Sequence, residues 1–171
     1  MNSTQPPEGR PLSAPPTITS RAEFCAAVVW GVQTAVERGA RRLWFIDPQF
    51  AGWPLNDPAL LDALTAWLRL PQRRLVLVAE SYDEVVRAKP RFVAWRQPWA
   101  HAIDAWSPQD LPADLPTWLF DDGPVSVAVA DRVHWRGRCA IDAHQAHQQR
   151  QEIDAVLQRS MTAFPVHDLG L

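Results

Sequence analysis

"GPVSVAVADRVHWRG", Gly123 to Gly137, is the stretch on which the fold turns. Its first part is an apolar alternating run, "VSVAVA" from Val125, which reads as a strand. The chain then turns near Asp131 and Arg132 into "VHWRG", a short return strand. Asp131, His134 and Arg136 place an acid, an imidazole and a cation within this short span, so the stretch either carries chemistry or packs. The pattern favours packing.

The elements upstream set the frame. Ser20 and Glu23 have capping-box spacing ahead of Phe24, Ala27, Val28, Gly31, Val32 and Ala35, an apolar face at helical period. Gly39 ends that helix. "RRLWFIDP" (Arg41 to Pro48) and "RRLVLVAE" (Arg73 to Glu80) are short apolar runs that suit buried strands. Between them Asp57 caps and Pro58 opens a helix whose stripe is Leu60, Leu61, Leu64, Trp67 and Leu68. Ser81 with Glu84 repeats the capping box, and Pro90 should kink or divide the helix that follows. Ala102 to Trp106 and Thr117 to Phe120 are weaker strands, and about His144 to Met161 reads as a Gln-rich amphipathic helix. The alternation predicts an α/β domain with a mixed, mainly parallel sheet and helices on both faces.

Residues 1–19 are proline-rich and polar and predict a disordered leader, followed by one domain over 20–171. With 47% hydrophobic residues, that length suffices for a real core. No apolar run long enough to span a membrane and no signal peptide are visible, so the expectation is a cytoplasmic protein without a membrane partner. Cys25 and Cys139 stand apart and read as reduced structural thiols.

The net charge of −2 argues against nucleic acid as a partner. Charge is nevertheless segregated. Arg69, Arg73, Arg74, Arg87, Lys89, Arg91 and Arg96 face only Glu80, Asp83 and Glu84, whereas Ile103 to Asp122 holds five aspartates and no Lys or Arg. Among nine tryptophans, Trp95, Trp99 and Trp106 lie close to Arg91 and Arg96. Such a mixture of rings and cations suits a ligand or partner surface made of Arg91, Trp95, Arg96 and Trp99, although large aromatics also fill cores.

The element order, with an apolar strand ending in Asp131, a return strand and a final helix, resembles one half of the phospholipase D-like fold. The resemblance spans Ser20 to Met161 and implies a His-x-Lys-x-x-x-x-Asp motif on the strand that ends in Asp131, with cations aimed at a phosphoryl transition state. Here Pro124 stands where the histidine belongs and Ser126 where the lysine belongs. Shifting to His134 and Arg136 leaves Ile141 at the acid position, with Asp142 one residue late and on the opposite strand face. Lys89 is the sole lysine, and Arg87 precedes it by two. The resemblance is therefore to a degenerate, non-catalytic member of a kind found in uncharacterised bacterial proteins.

Other constellations are thin. Asp142, His144 and His147 could share a metal at the start of the last helix, with Glu152 helping. His101 and His167 are isolated, and no glycine-rich phosphate loop implies a cofactor. The expected function is a non-catalytic binding or scaffold domain, pairing as a homodimer or docking a protein partner. Two alternatives stand beside it. One is a divergent phosphodiesterase or nuclease with His134 as nucleophile or base and Arg136 or Arg138 holding phosphate. The other is a nucleic-acid-binding module using the Arg69 to Trp106 region.

Overall fold

Across residues 14–111 and 113–166, which a computed structural model describes, the chain forms β1 (Thr17–Ile18), α1 (Arg21–Glu37), β2 (Arg42–Ile46), α2 (Pro58–Leu68), β3 (Arg74–Val78), α3 (Asp83–Ala88) and α4 (Pro90–Arg96). A 3-10 segment (Gln97–Ala102) leads to β4 (Ile103–Pro108), followed by β5 (Thr117–Asp121), β6 (Val125–Asp131), β7 (Arg136–Ile141), α5 (Ala143–Leu157) and β8 (Ser160–Thr162).

Local chemistry explains the starts and stops. The Ser20 hydroxyl accepts from the Glu23 N–H at 3.1 Å, while the Glu23 carboxylate reaches back to the backbone and hydroxyl of Thr19. Gly39, with φ of 78°, turns the chain after α1 into a region that side chains avoid. Asp57 caps α2 through the Ala59 N–H at 2.9 Å, with Pro58 at the first helical position. Pro90 divides the third helix, because its ring and missing N–H are tolerated only at the start of α4.

The sheet order is β1-β7-β6-β5-β2-β3-β4-β8. Only β2–β3 and β3–β4 are parallel pairs; the other five pairings are antiparallel. The sheet is thus mixed but mostly antiparallel, which corrects the expectation of a mainly parallel one. The helix–strand alternation covers only the first half of the chain. After β4 the chain leads to β5, which lies antiparallel to β2, and short turns then add β6 and β7 as a meander. Two-residue β1 on β7 and three-residue β8 on β4 complete the edges. Residues 1–13 of the expected leader lie outside the described residues, and Thr17 and Ile18 belong to the sheet.

Both faces of the central strands are buried. Leu43, Phe45, Leu75, Leu77, Leu119 and Val127 pack beneath α1 and α2, while Trp44, Ile46, Val76, Val78 and Phe120 form a second cluster with Ile153 of α5. Burial on two sides is why β2 and β3 read as continuous apolar runs. In α1, a Cβ on Gly31 would meet Leu119 at 3.0 Å and Val127 at 3.1 Å, so a glycine lets this helix sit close on the sheet. Cys139 is buried, which pushes its thiol up to about 12, and Cys25 is half-buried; both are free. Among the described residues no helix is long and apolar enough to cross a membrane.

Candidate nucleic-acid interface

Two strands begin alike: Arg41 precedes Arg42 and Leu43 of β2, and Arg73 precedes Arg74 and Leu75 of β3. The strands run parallel with Arg42 opposite Arg74, so the two arginine pairs lie side by side at one end of the sheet. The Arg74 N–H donates to the Arg41 carbonyl at 3.0 Å. The helices that precede these strands end here as well. Arg38 caps the carboxyl end of α1, Arg69 caps that of α2, and the Trp67 indole N–H donates to the Ala40 carbonyl at 2.6 Å, tying the two connections together. Helix carboxyl ends carry partial negative charge, so arginines placed there also favour the helices.

These six guanidinium groups divide into two sets. Arg74 pairs with Asp104 at 2.8 Å, and Arg73 donates to the Pro71 carbonyl at 2.9 Å. Arg38, Arg41, Arg42 and Arg69 are exposed and have no acidic side-chain partner among the described residues. Asp122, an acid at this end, uses its carboxylate to accept from the Arg41 backbone N–H at 3.2 Å. Asp47, Glu80, Asp83 and Glu84 follow the carboxyl ends of β2 and β3, at the opposite end. Exposed arginines thus gather on the amino side of the parallel strands, beside Asp122, while Arg87, Lys89 and Arg91 follow β3 on and between α3 and α4.

A cleft of about 640 Å³ runs beside Arg42 and Arg74, walled by Trp44, Trp106 and Asp154. Trp44 is stacked on Phe120 at 5.1 Å and buried, so it offers no free ring face. Trp106, on the same wall, is half-buried and packs against the second core cluster.

Asp121 sits just behind it, 1% exposed. One of its oxygens accepts from the Gly123 and Val125 N–H groups at 2.9 Å, and the other has no hydrogen-bond partner. Burial pushes this carboxyl above the usual range, against the pull of those two N–H bonds and of Arg150. A raised folded-state value means the native state holds a proton that the unfolded chain has released, so stability falls as pH rises through that window. Asp121→Asn is expected to remove this fall while keeping an acceptor for both N–H groups. Urea midpoints measured from about pH 4 to pH 7 should drop more for the parent than for the variant. Parallel curves would show that Asp121 does not set the dependence.

The residues singled out from sequence lie elsewhere. Asp131 organises the β6–β7 hairpin: one oxygen accepts from the Val133 and His134 N–H groups at 2.9 and 3.1 Å, and the other lies 2.8 Å from His134 Nδ1. The His134 hydrogen bonds hold the Asp131 carboxyl below its ordinary value. Trp135, at φ 52°, turns inward and stacks on Phe24 at 5.1 Å. Arg136 and Arg138 are exposed on β7. Ser126 is fully buried with its hydroxyl unpartnered, so no group at the expected lysine position reaches a cleft. Asp142 caps α5 through the His144 N–H at 2.9 Å, while His144 and His147 are exposed. Among the described residues no three His, Cys, Asp or Glu side chains gather in a way that could hold a metal.

Arg91, Trp95, Arg96 and Trp99 do not make one surface. Arg91 is exposed, but Trp95 stacks on Phe92 at 5.6 Å and donates to the Thr65 hydroxyl at 2.8 Å. Arg96 is 4% exposed, and Trp99 is half-buried against the core. The rings of this helical stretch are spent on packing. Arg38, Arg41 and Arg42 were not among the residues that sequence reasoning singled out. The signal that could have found them is the repeated Arg, Arg, Leu opening of two strands destined to be parallel neighbours.

No family model and none of the curated proteins matches the chain. Among solved structures the fold is similar to that of TrmBL2, an archaeal chromatin protein whose structure is described as showing a novel mode of DNA binding. The two superpose with a TM-score of 0.60 at 6% identity, over 92% of this chain and 56% of that one. The likeness is one of fold, and this chain spans little more than half the length of its neighbour. It nevertheless overturns the expectation that set nucleic acid aside, since a DNA-binding chromatin protein contains this frame. The physical fault in that expectation was to use net charge. Salt confines the influence of exposed charges to roughly 8–10 Å, so a polyanion at the arginine end is shielded from the acids at the other.

Proposed function

We propose that this domain is a nucleic-acid-binding module that holds backbone phosphates on its arginine end. The observation that carries the reading is the set Arg38, Arg41, Arg42 and Arg69, four exposed guanidinium groups without acidic partners among the described residues, on elements tied together by hydrogen bonds. Arginine forks match phosphate oxygens, and such contacts supply affinity without reading sequence. The fold shared with TrmBL2 adds support, because DNA binding is part of that protein's description.

The frame itself we read as a phospholipase D-like half that has lost its motif. Pro124 and Ser126 at the motif positions, and the burial of Ser126, support a non-catalytic role. Contacts with four phosphates release condensed counterions, so the logarithm of affinity should fall with that of salt concentration at a slope of about −3 to −4. Fluorescence anisotropy with a labelled duplex of about 20 base pairs, from about 50 mM salt upward, measures this directly. Absence of binding at the lowest salt, or a slope near zero, would sink the proposal.

A further inference from the structure

The opposite end of the molecule holds a cavity of about 510 Å³, outside the carboxyl ends of β3 and β4, where α/β sheets commonly take their ligands. Its walls are largely apolar, with Val86, Val93, Phe164 and Val166 among them. Tyr82 fixes one side. Its hydroxyl lies 2.7 Å from the Trp106 carbonyl and 3.1 Å from that of Leu77, and its ring stacks on Phe164 at 4.9 Å. Phe164, at φ 51°, belongs to a segment that crosses this end and lines both this cavity and a smaller neighbour of about 280 Å³.

Arg96 lines both cavities. It is 4% exposed, yet among the described residues its guanidinium donates only to the Phe164 carbonyl, at 2.6 Å, and lies 3.6 Å from the centre of the Phe164 ring. Its Nε has no partner, and among the described residues no carboxylate pairs with it. A guanidinium has five N–H donors, and burying one without a counter-charge is costly unless something else meets it. Elsewhere on this face Glu80 accepts from the Leu115 N–H at 3.1 Å, and Glu84 holds Arg87 at 2.7 Å.

We propose that this cavity binds a small organic monoanion, a carboxylate on an apolar body, with the carboxylate received by Arg96. Arg96, the one cation among the described lining residues, selects one negative charge, and Glu80 and Asp83 on the lining disfavour a dianion such as a phosphate monoester. Apolar walls and a volume in the ordinary range for small-molecule sites select an aliphatic or aryl body.

Calorimetry of the full chain with octanoate and with octanol as its neutral counterpart tests this. Octanoate should bind saturably and at least about tenfold more tightly than octanol, the advantage of one charge-assisted hydrogen-bonded pair. Val86, 57% exposed at the rim, allows a variant that leaves the core untouched. Val86→Glu should keep the parent circular dichroism and weaken octanoate by about tenfold while leaving octanol unchanged. Arg41→Glu with Arg42→Glu should leave octanoate binding intact, which separates this site from the arginine end. Equal affinity for octanoate and octanol would overturn the proposal. So would no saturable binding up to about 10 mM, or undiminished octanoate binding in a folded Val86→Glu variant.

Discussion

Arg41→Glu combined with Arg42→Glu is expected to lower duplex affinity by about a hundredfold at about 50 mM salt and to reduce the salt slope by about 2. Two phosphate contacts are lost and two repulsions are introduced at the centre of the arginine end. Both side chains are exposed and make no ion pair among the described residues, so the fold should not change. The control is Arg87→Glu with Arg91→Glu, which alters net charge by the same amount on α3 and α4. That variant should bind within about threefold of the parent, because its charges lie beyond the reach that salt permits. If the two double variants lose affinity equally, binding follows overall charge and the arginine end is not the interface. The comparison thus tests placement as well as sign.

Trp67→Ala should be the most damaging single truncation in the core. The ring is fully buried between α2 and the start of β2, and its N–H satisfies the Ala40 carbonyl at 2.6 Å. Removing a buried tryptophan costs about 3–5 kcal/mol through lost transfer energy and the cavity left behind. For a domain of this size that lowers Tm by roughly 10–15 °C. Trp67→Phe separates the contributions, since it keeps most of the ring and leaves the carbonyl without its donor, at about 1–2 kcal/mol. Thermal and urea unfolding of the pair give the ranking. A smaller loss for alanine than for phenylalanine would mean that the site is not close-packed. Trp67 also draws the ends of α1 and α2 together, so DNA affinity should weaken in the alanine variant even where it remains folded.

Much of the local structure was legible. Ser20, Asp57, Gly39 and Pro90 mark boundaries through backbone chemistry that operates within a few residues, and each does so in the fold. The apolar runs of β2, β3 and β6 were equally plain, since period and burial are properties of a short segment. Sheet order was not. Whether β5 joins β4 or crosses back to β2 depends on pairing between segments far apart in the chain, and alternation in the first half says nothing of it.

The candidate site divides along the same line. By itself the sequence determined that the phospholipase D-like motif is missing, since no His-x-Lys stands anywhere in it, and that two strands open with paired arginines. Only the tertiary structure decided which cations are available. Parallel register brought Arg42 beside Arg74 from 32 positions away, and helix ends delivered Arg38 and Arg69 to the same place. Arg96, indistinguishable from them in composition, was folded beneath Phe164 and lost to the surface. Charge is a property of the residue, but its exposure and its neighbours are set by packing between segments distant in the chain, and those decide whether an arginine meets a polyanion, a carbonyl or a small ligand.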